Sequence, residues 1–239
     1  MSRTDDYRRE LARLADWEPY LRELSGLPGP RANLELVQAV ADLGDLPLFE
    51  RFAASDDEFL AVCGPVGLGR LAAEGRLDLL PRLRQLASDP RWRVREGVAM
   101  GLQRLGDADL ARLLTEMEEW VAGGPLEQRA AIAALCEPRL LREPEHVRRV
   151  LAVLDRATAS LAGSRDRRAE PFGVLRKGLA YCWCVAAVAL PEEGRRALDR
   201  WIGSPDPDVR WVMRQNLGKA RAGRLGQDWV AERLARLEM

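Results

Sequence analysis

The chain has 239 residues, of which 47% are hydrophobic and 31% are charged, a balance that is typical of folded proteins and excludes a wholly disordered chain. Its 37 basic and 37 acidic residues give a formal net charge of zero, so bulk charge does not favour a general binder of nucleic acids or anionic membranes. Lys177 and Lys219 are the only lysines, and the other 35 basic residues are arginines. This bias indicates either the codon usage of a GC-rich genome or a surface that needs planar, forked donors for phosphate or carboxylate groups.

From the N-terminus onward, the predicted elements are short helices separated by turns rich in glycine and proline. Residues 1–30 are predicted to form a weak N-terminal cap, which ends in the Gly/Pro-rich segment 26–30. Further interruptions follow at 89–90, 123–125 and 204–207, and the segments between them lack the alternation that is typical of strands. Apolar residues recur instead at helical spacing, as in the stripe Leu77, Leu79, Leu80, Leu83 and Leu86 and the stripe Leu110, Leu113, Leu114, Met117 and Val121.

A short turn that leads into an apolar helix recurs along the chain and places an arginine at a matching position each time. The arginines are Arg95, Arg129, Arg176 and Arg210, at intervals of 34, 47 and 34 residues, which is the size of a repeat made of two helices and two turns. The longest interval contains a predicted helix followed by a loop at 163–170. Aspartate or serine in the turns is expected to cap the second helix of each pair, with proline in or just before its first turn.

These turns resemble those of the HEAT-repeat family, whose inner helices commonly open with Asp-x-x-Val-Arg. Two segments match well and three match fairly: 88–107 and 204–222, then 55–75, 123–141 and 172–191. The resemblance implies an all-α fold, a HEAT-like and armadillo-like helical-repeat solenoid (an α-α superhelix) of about five or six helix pairs. It also implies a single domain over residues 1–239.

The concave surface of such an array suits elongated partners, so we predict a non-enzymatic binding or scaffold protein with a protein partner. Most tryptophans at the turns are expected to fill the core between repeats, with their polar edges hydrogen-bonded. The side chains predicted to lie on the binding surface are Trp92, Arg95, Arg129, Arg176, Lys177, Tyr181 and Arg210.

A second resemblance, over residues 88–190, is to the AlkD-like alkylpurine DNA glycosylases, a branch of the HEAT-like proteins. Their groove carries a Trp-x-x-x-Asp pair, an arginine in the next repeat and an aromatic residue after an Arg-Lys-Ala-Ile-Gly stretch. The matching residues here are Trp92, Glu96, Arg129 and the segment Arg176-Lys-Gly-Leu-Ala-Tyr181, with Glu in place of Asp and Tyr in place of Trp. The resemblance implies an alternative function, a DNA glycosylase or DNA-binding protein that acts on alkylated bases.

In that alternative, the resemblance assigns a role to each matching residue. Glu96 would be the catalytic acid that stabilises the developing oxocarbenium charge or positions water. Trp92 and Tyr181 would hold the cationic base by stacking, and Arg129 would contact a phosphate of duplex DNA. Non-catalytic nucleic-acid binding is a third hypothesis, because residues 195–239 contain ten basic and six acidic side chains.

Other kinds of site are not expected from the sequence. The single histidine, His146, lies in a predicted helix N-terminus, where a lone histidine is more often structural than catalytic, and no Ser-His-Asp or Cys-His set is available without it. Cys63, Cys136, Cys182 and Cys184 form no C-x-x-C pair, so we predict buried free thiols, no metal and no cofactor. The longest apolar stretch, 178–190, is too short to span a membrane and the N-terminus carries no signal peptide, so a cytoplasmic location is expected.

Overall fold

The computed structural model describes residues 2–29 and 31–238, and in these residues the chain folds into helices joined by turns, with no β-strand. The predicted all-α class is therefore confirmed. Met1, at the start of the predicted cap, and Pro30, in the predicted interruption at 26–30, lie outside the described residues. The contacts divide the chain into two compact units, Met1–Asp109 and Leu110–Met239. The single domain predicted over 1–239 stays a prediction.

In the first unit, one central helix contacts most of the others. The helices are α1 (Arg3–Leu11), α2 (Glu18–Leu24), α3 (Leu34–Leu43), α4 (Leu46–Ala53), α5 (Glu58–Ala73), α6 (Leu80–Leu86) and α7 (Trp92–Ala108), with a 3₁₀ turn at Leu77–Leu79. In sequence, α1 packs on α3, α3 on α5 and α5 on α7, while α2, α4 and α6 also contact α5. Every residue of α5 from Phe59 to Gly69 is buried, so this helix forms the core of the unit.

Glycines allow α5 and its neighbours to approach closely. A Cβ atom added at Gly69 of α5 would lie 2.2 Å from the Cα atom of Gly101 in α7. One added at Gly97 would lie 2.7 Å from the ring of Pro65, and one at Gly64 would lie 2.4 Å from the backbone nitrogen of Ala53 in α4. These positions therefore leave no room for a side chain at the helix crossings.

In the second unit, the helices pack in two successive rows. They are α8 (Leu110–Trp120), α9 (Pro125–Leu135), α10 (Pro144–Ala162), α11 (Glu170–Ala187), α12 (Pro191–Ile202), α13 (Pro207–Leu217) and α14 (Gln227–Glu238), with 3₁₀ turns at Pro138–Leu140 and Ala220–Leu225. One row runs from α9 to α11 to α13, and the other from α8 to α10 to α12 to α14. Helix α11 contacts α9, α10, α12 and α13 and is the centre of this unit.

Tryptophan fills part of the core of the second unit, as predicted. Trp183 is fully buried in α11, and its indole N–H donates to the Oγ1 atom of Thr158 at 2.9 Å. Trp120 at the end of α8 is also buried. The amide of Asn216 in α13, which is buried as well, bonds two backbone groups of α11, the carbonyl of Leu179 and the N–H of Cys184.

The predicted helix caps are confirmed at two turns and wrong at a third. Asp57 caps α5 and Asp206 caps α13, each by accepting hydrogen bonds from backbone N–H groups of the first turn. Helix α7 begins after Arg91 without a side-chain cap, because Asp89 accepts from the N–H and guanidinium of Arg91 instead. The guanidinium of Arg91 also donates to the carbonyls of Ala53 and Ser55, so it joins this turn to the preceding one.

Candidate functional site

Trp92, at the start of α7, is an exposed aromatic side chain that is held in position by its neighbour. Its side chain is 51% exposed. The guanidinium of Arg93 lies over the indole ring, 4.3 Å from its centre, and the Arg93 Nε atom donates to Glu58 at 2.8 Å. Because Arg93 itself is buried and paired, it fixes one side of the indole while much of the ring remains open to solvent.

Glu96 lies one turn beyond Trp92 on α7 and is partly buried. Within the described residues, its carboxylate makes no ion pair and no side-chain hydrogen bond, although the neighbouring Arg91 and Arg93 are both paired with acids. Residues four apart share a helix face, so an open aromatic ring and an uncompensated carboxylate stand side by side. This combination fits a ligand group that is positively charged.

Arg95, the third predicted residue of this helix, is placed differently. Its side chain is only 5% exposed, and its guanidinium donates to the carbonyls of Asp89 and Pro90 at 2.8 and 3.1 Å. Arg95 therefore closes the turn that precedes its own helix. Arg91 hydrogen-bonds the carboxylate of Asp89 and lowers the pKa of that group.

In the second unit, two of the predicted arginines are already engaged within the protein. Arg176 stacks on the ring of Trp211 at 3.9 Å, and its Nε atom lies 2.9 Å from Asp208. Arg210 donates to the carbonyl of Leu237 at 2.7 Å. The aliphatic part of Arg129 lies against Gly178, where an added Cβ would come within 3.3 Å of the arginine Cγ. These contacts join neighbouring helices of the unit.

The most exposed predicted residues of this unit are Lys177 and Tyr181, one turn apart on α11. Tyr181 is 49% exposed, and Arg221 contacts it in two ways. The guanidinium lies 4.9 Å from the centre of the tyrosine ring and donates to its hydroxyl at 3.0 Å. Arg221 and Lys219 follow α13, and we define the Tyr181 patch as Lys177, Tyr181, Lys219 and Arg221.

No sequence pattern connects Arg221 with Tyr181. Lys219 and Arg221 belong to the basic C-terminal part, but they lie about forty residues from Tyr181 in the chain, and no local pattern pairs them with it. The structure brings them together because the 3₁₀ turn at Ala220–Leu225 packs on α11.

The predicted residues of the glycosylase-like set divide between the two units. Trp92 and Glu96 belong to the first unit, and Arg129, Arg176 and Tyr181 belong to the second. Their assembly into one groove stays a prediction. Comparison of the sequence with models of known protein families and with curated protein sequences gives no match.

The structure offers no metal site in its described residues, where no group of three or more His, Cys, Asp or Glu side chains is suitably placed. The four cysteines are free and buried, as predicted, and burial raises the pKa values of Cys63, Cys136 and Cys184. Thiols of this kind stay protonated and unreactive. None of the described helices combines the length and the apolar character that a membrane crossing requires.

Proposed function

We propose that this chain is a non-enzymatic binding protein and that its helix pairs are HEAT-like repeats stacked as a solenoid. The packing within each unit supports the repeat assignment, since α3, α5 and α7 form one row and α9, α11 and α13 another. The arginines that mark the repeats lie in α7, α9, α11 and α13. The partner is proposed to contact this set of helices, and it is proposed to be a protein.

The observation that carries the proposal is the exposed but immobilised indole of Trp92. Large aromatic side chains supply much of the binding energy at protein interfaces. The Arg93–Glu58 ion pair and the stacked guanidinium hold the ring in place before binding, so little side-chain entropy remains to be lost. With Glu96 beside it, the site suits an arginine or lysine side chain of the partner, which would stack on the indole and pair with the carboxylate.

Replacement of Trp92 tests this proposal. A partner captured by the wild-type protein from an extract of the source organism and identified by mass spectrometry is expected to bind Trp92→Ala at least about 30-fold more weakly, the loss typical of an interface hot spot. Glu96→Gln should weaken the same complex less. Leu43→Ala, which removes an exposed apolar side chain elsewhere in the first unit, serves as the control and should bind normally. A partner that binds Trp92→Ala as tightly as wild type would exclude this site.

Base excision is the second candidate function, and the unpaired state of Glu96 beside Trp92 favours it. A carboxylate without a cationic partner is suited to stabilise positive charge that develops on a sugar and a departing alkylated base. We expect duplex DNA that contains N3-methyladenine or N7-methylguanine to lose no more free base with the wild-type protein than with Glu96→Gln. Release by wild type that the variant lacks, measured by chromatography of the free base, would replace the binding proposal with the enzymatic one.

A further inference from the structure

We infer that the Tyr181 patch is a binding site for single-stranded nucleic acid. In this site one unstacked base lies on the ring of Tyr181, while Lys177, Lys219 and Arg221 contact the flanking phosphates. The inference concerns different residues and a different ligand from the Trp92 site, and it stands on contacts within the second unit alone.

The first supporting observation is the state of the tyrosine. The Tyr181 side chain is large and aromatic, and half of its surface is exposed. Arg221 stacks near the ring and donates to the hydroxyl, so the ring is fixed and a guanidinium is already placed beside it. Exposed aromatic rings flanked by cations are the common platform for bases of single strands.

The second observation concerns the ion pairs of the basic side chains, which set the cations of the Tyr181 patch apart from most arginines of the chain. Most arginines of this chain pair with a carboxylate, as Arg149 does with Glu118 and Arg233 with Asp199. In the part of the chain that the structure describes, by contrast, no ion pair engages Lys177, Lys219 or Arg221, and both lysines of the protein belong to this patch. Arg221 reaches the Tyr181 hydroxyl, and Lys219 lies two residues before this arginine, just after the end of α13, where Asn216 accepts a hydrogen bond from the backbone of α11.

The chemistry favours a single strand over other anionic ligands. In a duplex the bases stack on one another and offer no free face to Tyr181. A phosphate monoester on a partner protein is usually held by clustered arginines in bidentate contacts. Here the patch has a single arginine and two lysines, and the lysines stand on two separate segments. Cations on both α11 and the segment after α13 suit a backbone that carries a phosphate at every nucleotide.

The test measures binding of a fluorescein-labelled oligothymidylate of twenty nucleotides by anisotropy. With three phosphate contacts, affinity for a single strand should fall roughly 20-fold between 50 and 200 mM salt. Tyr181→Ala should weaken binding roughly 5-fold to 150-fold, the range found for loss of one stacked base. Tyr181→Phe, which keeps the ring and loses only the hydroxyl, should bind much more tightly than Tyr181→Ala.

Charge variants distinguish binding at the Tyr181 patch from nonspecific attraction of the strand to any cation on the surface. Lys177→Gln and Lys219→Gln should each make the salt dependence shallower by about one phosphate contact. Arg165→Gln, which removes an exposed cation from the loop between α10 and α11, should leave it unchanged. Three results would overturn the inference: no binding at 50 mM salt, equal binding of the complementary duplex, or equal weakening by Arg165→Gln and Lys177→Gln. Circular dichroism confirms that each variant is folded.

Discussion

Replacing Gly69 with alanine is expected to destabilise the first unit by about 3 kcal/mol, although the change adds a single methyl group. The new Cβ would lie 2.2 Å from the Cα atom of Gly101 and 2.3 Å from its carbonyl carbon. Both atoms belong to the backbone of α7 and cannot rotate away, so the two helices must separate. Separation would open contacts along α5, which is buried from Phe59 to Gly69.

The same substitution also has a stabilising effect, the higher helix propensity of alanine, but this effect is smaller than the cost of separating the helices. Alanine favours a helix over glycine by up to about 1 kcal/mol, because glycine loses more conformational freedom on folding. Gly173→Ala isolates this benefit, since Gly173 lies in the first turns of α11 and an added Cβ meets no atom within 4 Å. Gly173→Ala should therefore be neutral or slightly stabilising.

Guanidinium unfolding gives the change in free energy, and hydrogen exchange measured by mass spectrometry locates it. Gly69→Ala should speed exchange in α5 and α7 and leave α9, α11 and α13 protected. If Gly69→Ala unfolds at the same denaturant concentration as wild type, α5 and α7 do not cross as closely as the structure shows.

This helix crossing also shows where prediction from the sequence stops. The segment 55–75 is predicted to contain a repeat turn and the helix that follows it, and α5 lies there, because the signals for a helix are local. Asp57, for example, caps the N-terminus of α5, and the capping oxygen and the backbone N–H groups it accepts from are near neighbours in the chain. The close approach of Gly69 to Gly101 depends on the register of α5 and α7 at two residues that are 32 positions apart (101 − 69) in the chain, and no local pattern encodes that register.

The candidate sites were predictable to a similar extent. The spacing of Trp92 and Glu96 indicated a shared helix face, and both residues do lie on α7. The position of the exposed indole depends on a contact with a residue distant in the chain, because Arg93 stacks on the ring and is itself paired with Glu58 of α5. The same pattern of alternating arginines also contains Arg95, whose side chain is buried against its own turn. Identical residue types in one motif thus acquire different surroundings from the tertiary packing.

Asn216→Leu is expected to destabilise the second unit by about 2–4 kcal/mol, because it removes hydrogen bonds and leaves the partners buried. The Asn216 amide accepts from the N–H of Cys184 at 2.8 Å and donates to the carbonyls of Leu179 and Val212 at 2.9 and 2.8 Å. Asn216 itself is 1% exposed, so water cannot replace these bonds without opening the packing of α13 on α11. Because leucine and asparagine are similar in size, the lost stability is due to the missing hydrogen bonds and not to a cavity.

Asn216→Asp distinguishes the hydrogen bonds from the shape of the side chain. A carboxylate keeps the acceptor for Cys184 but has no N–H to donate, and its charge would face the Leu179 carbonyl in a buried site. Burial raises the pKa of such a group above its unfolded value, so the variant gains stability as the pH falls and the acid becomes a donor. Unfolding measured at pH 5 and pH 8 should thus show a smaller deficit at pH 5, whereas Asn216→Leu should show the same deficit at both.

Gln215→Leu provides the matched control, because Gln215 is the neighbour of Asn216 on α13 and is only partly buried. This substitution should change the stability by less than about 0.5 kcal/mol, as is usual for partly exposed sites away from such contacts. The prediction fails if Asn216→Leu is as stable as Gln215→Leu. In that case the backbone groups of Leu179 and Cys184 in α11 would not depend on hydrogen bonds from Asn216. Only the apolar side chains of α13, among them Val209 and Val212, would then hold α13 on α11.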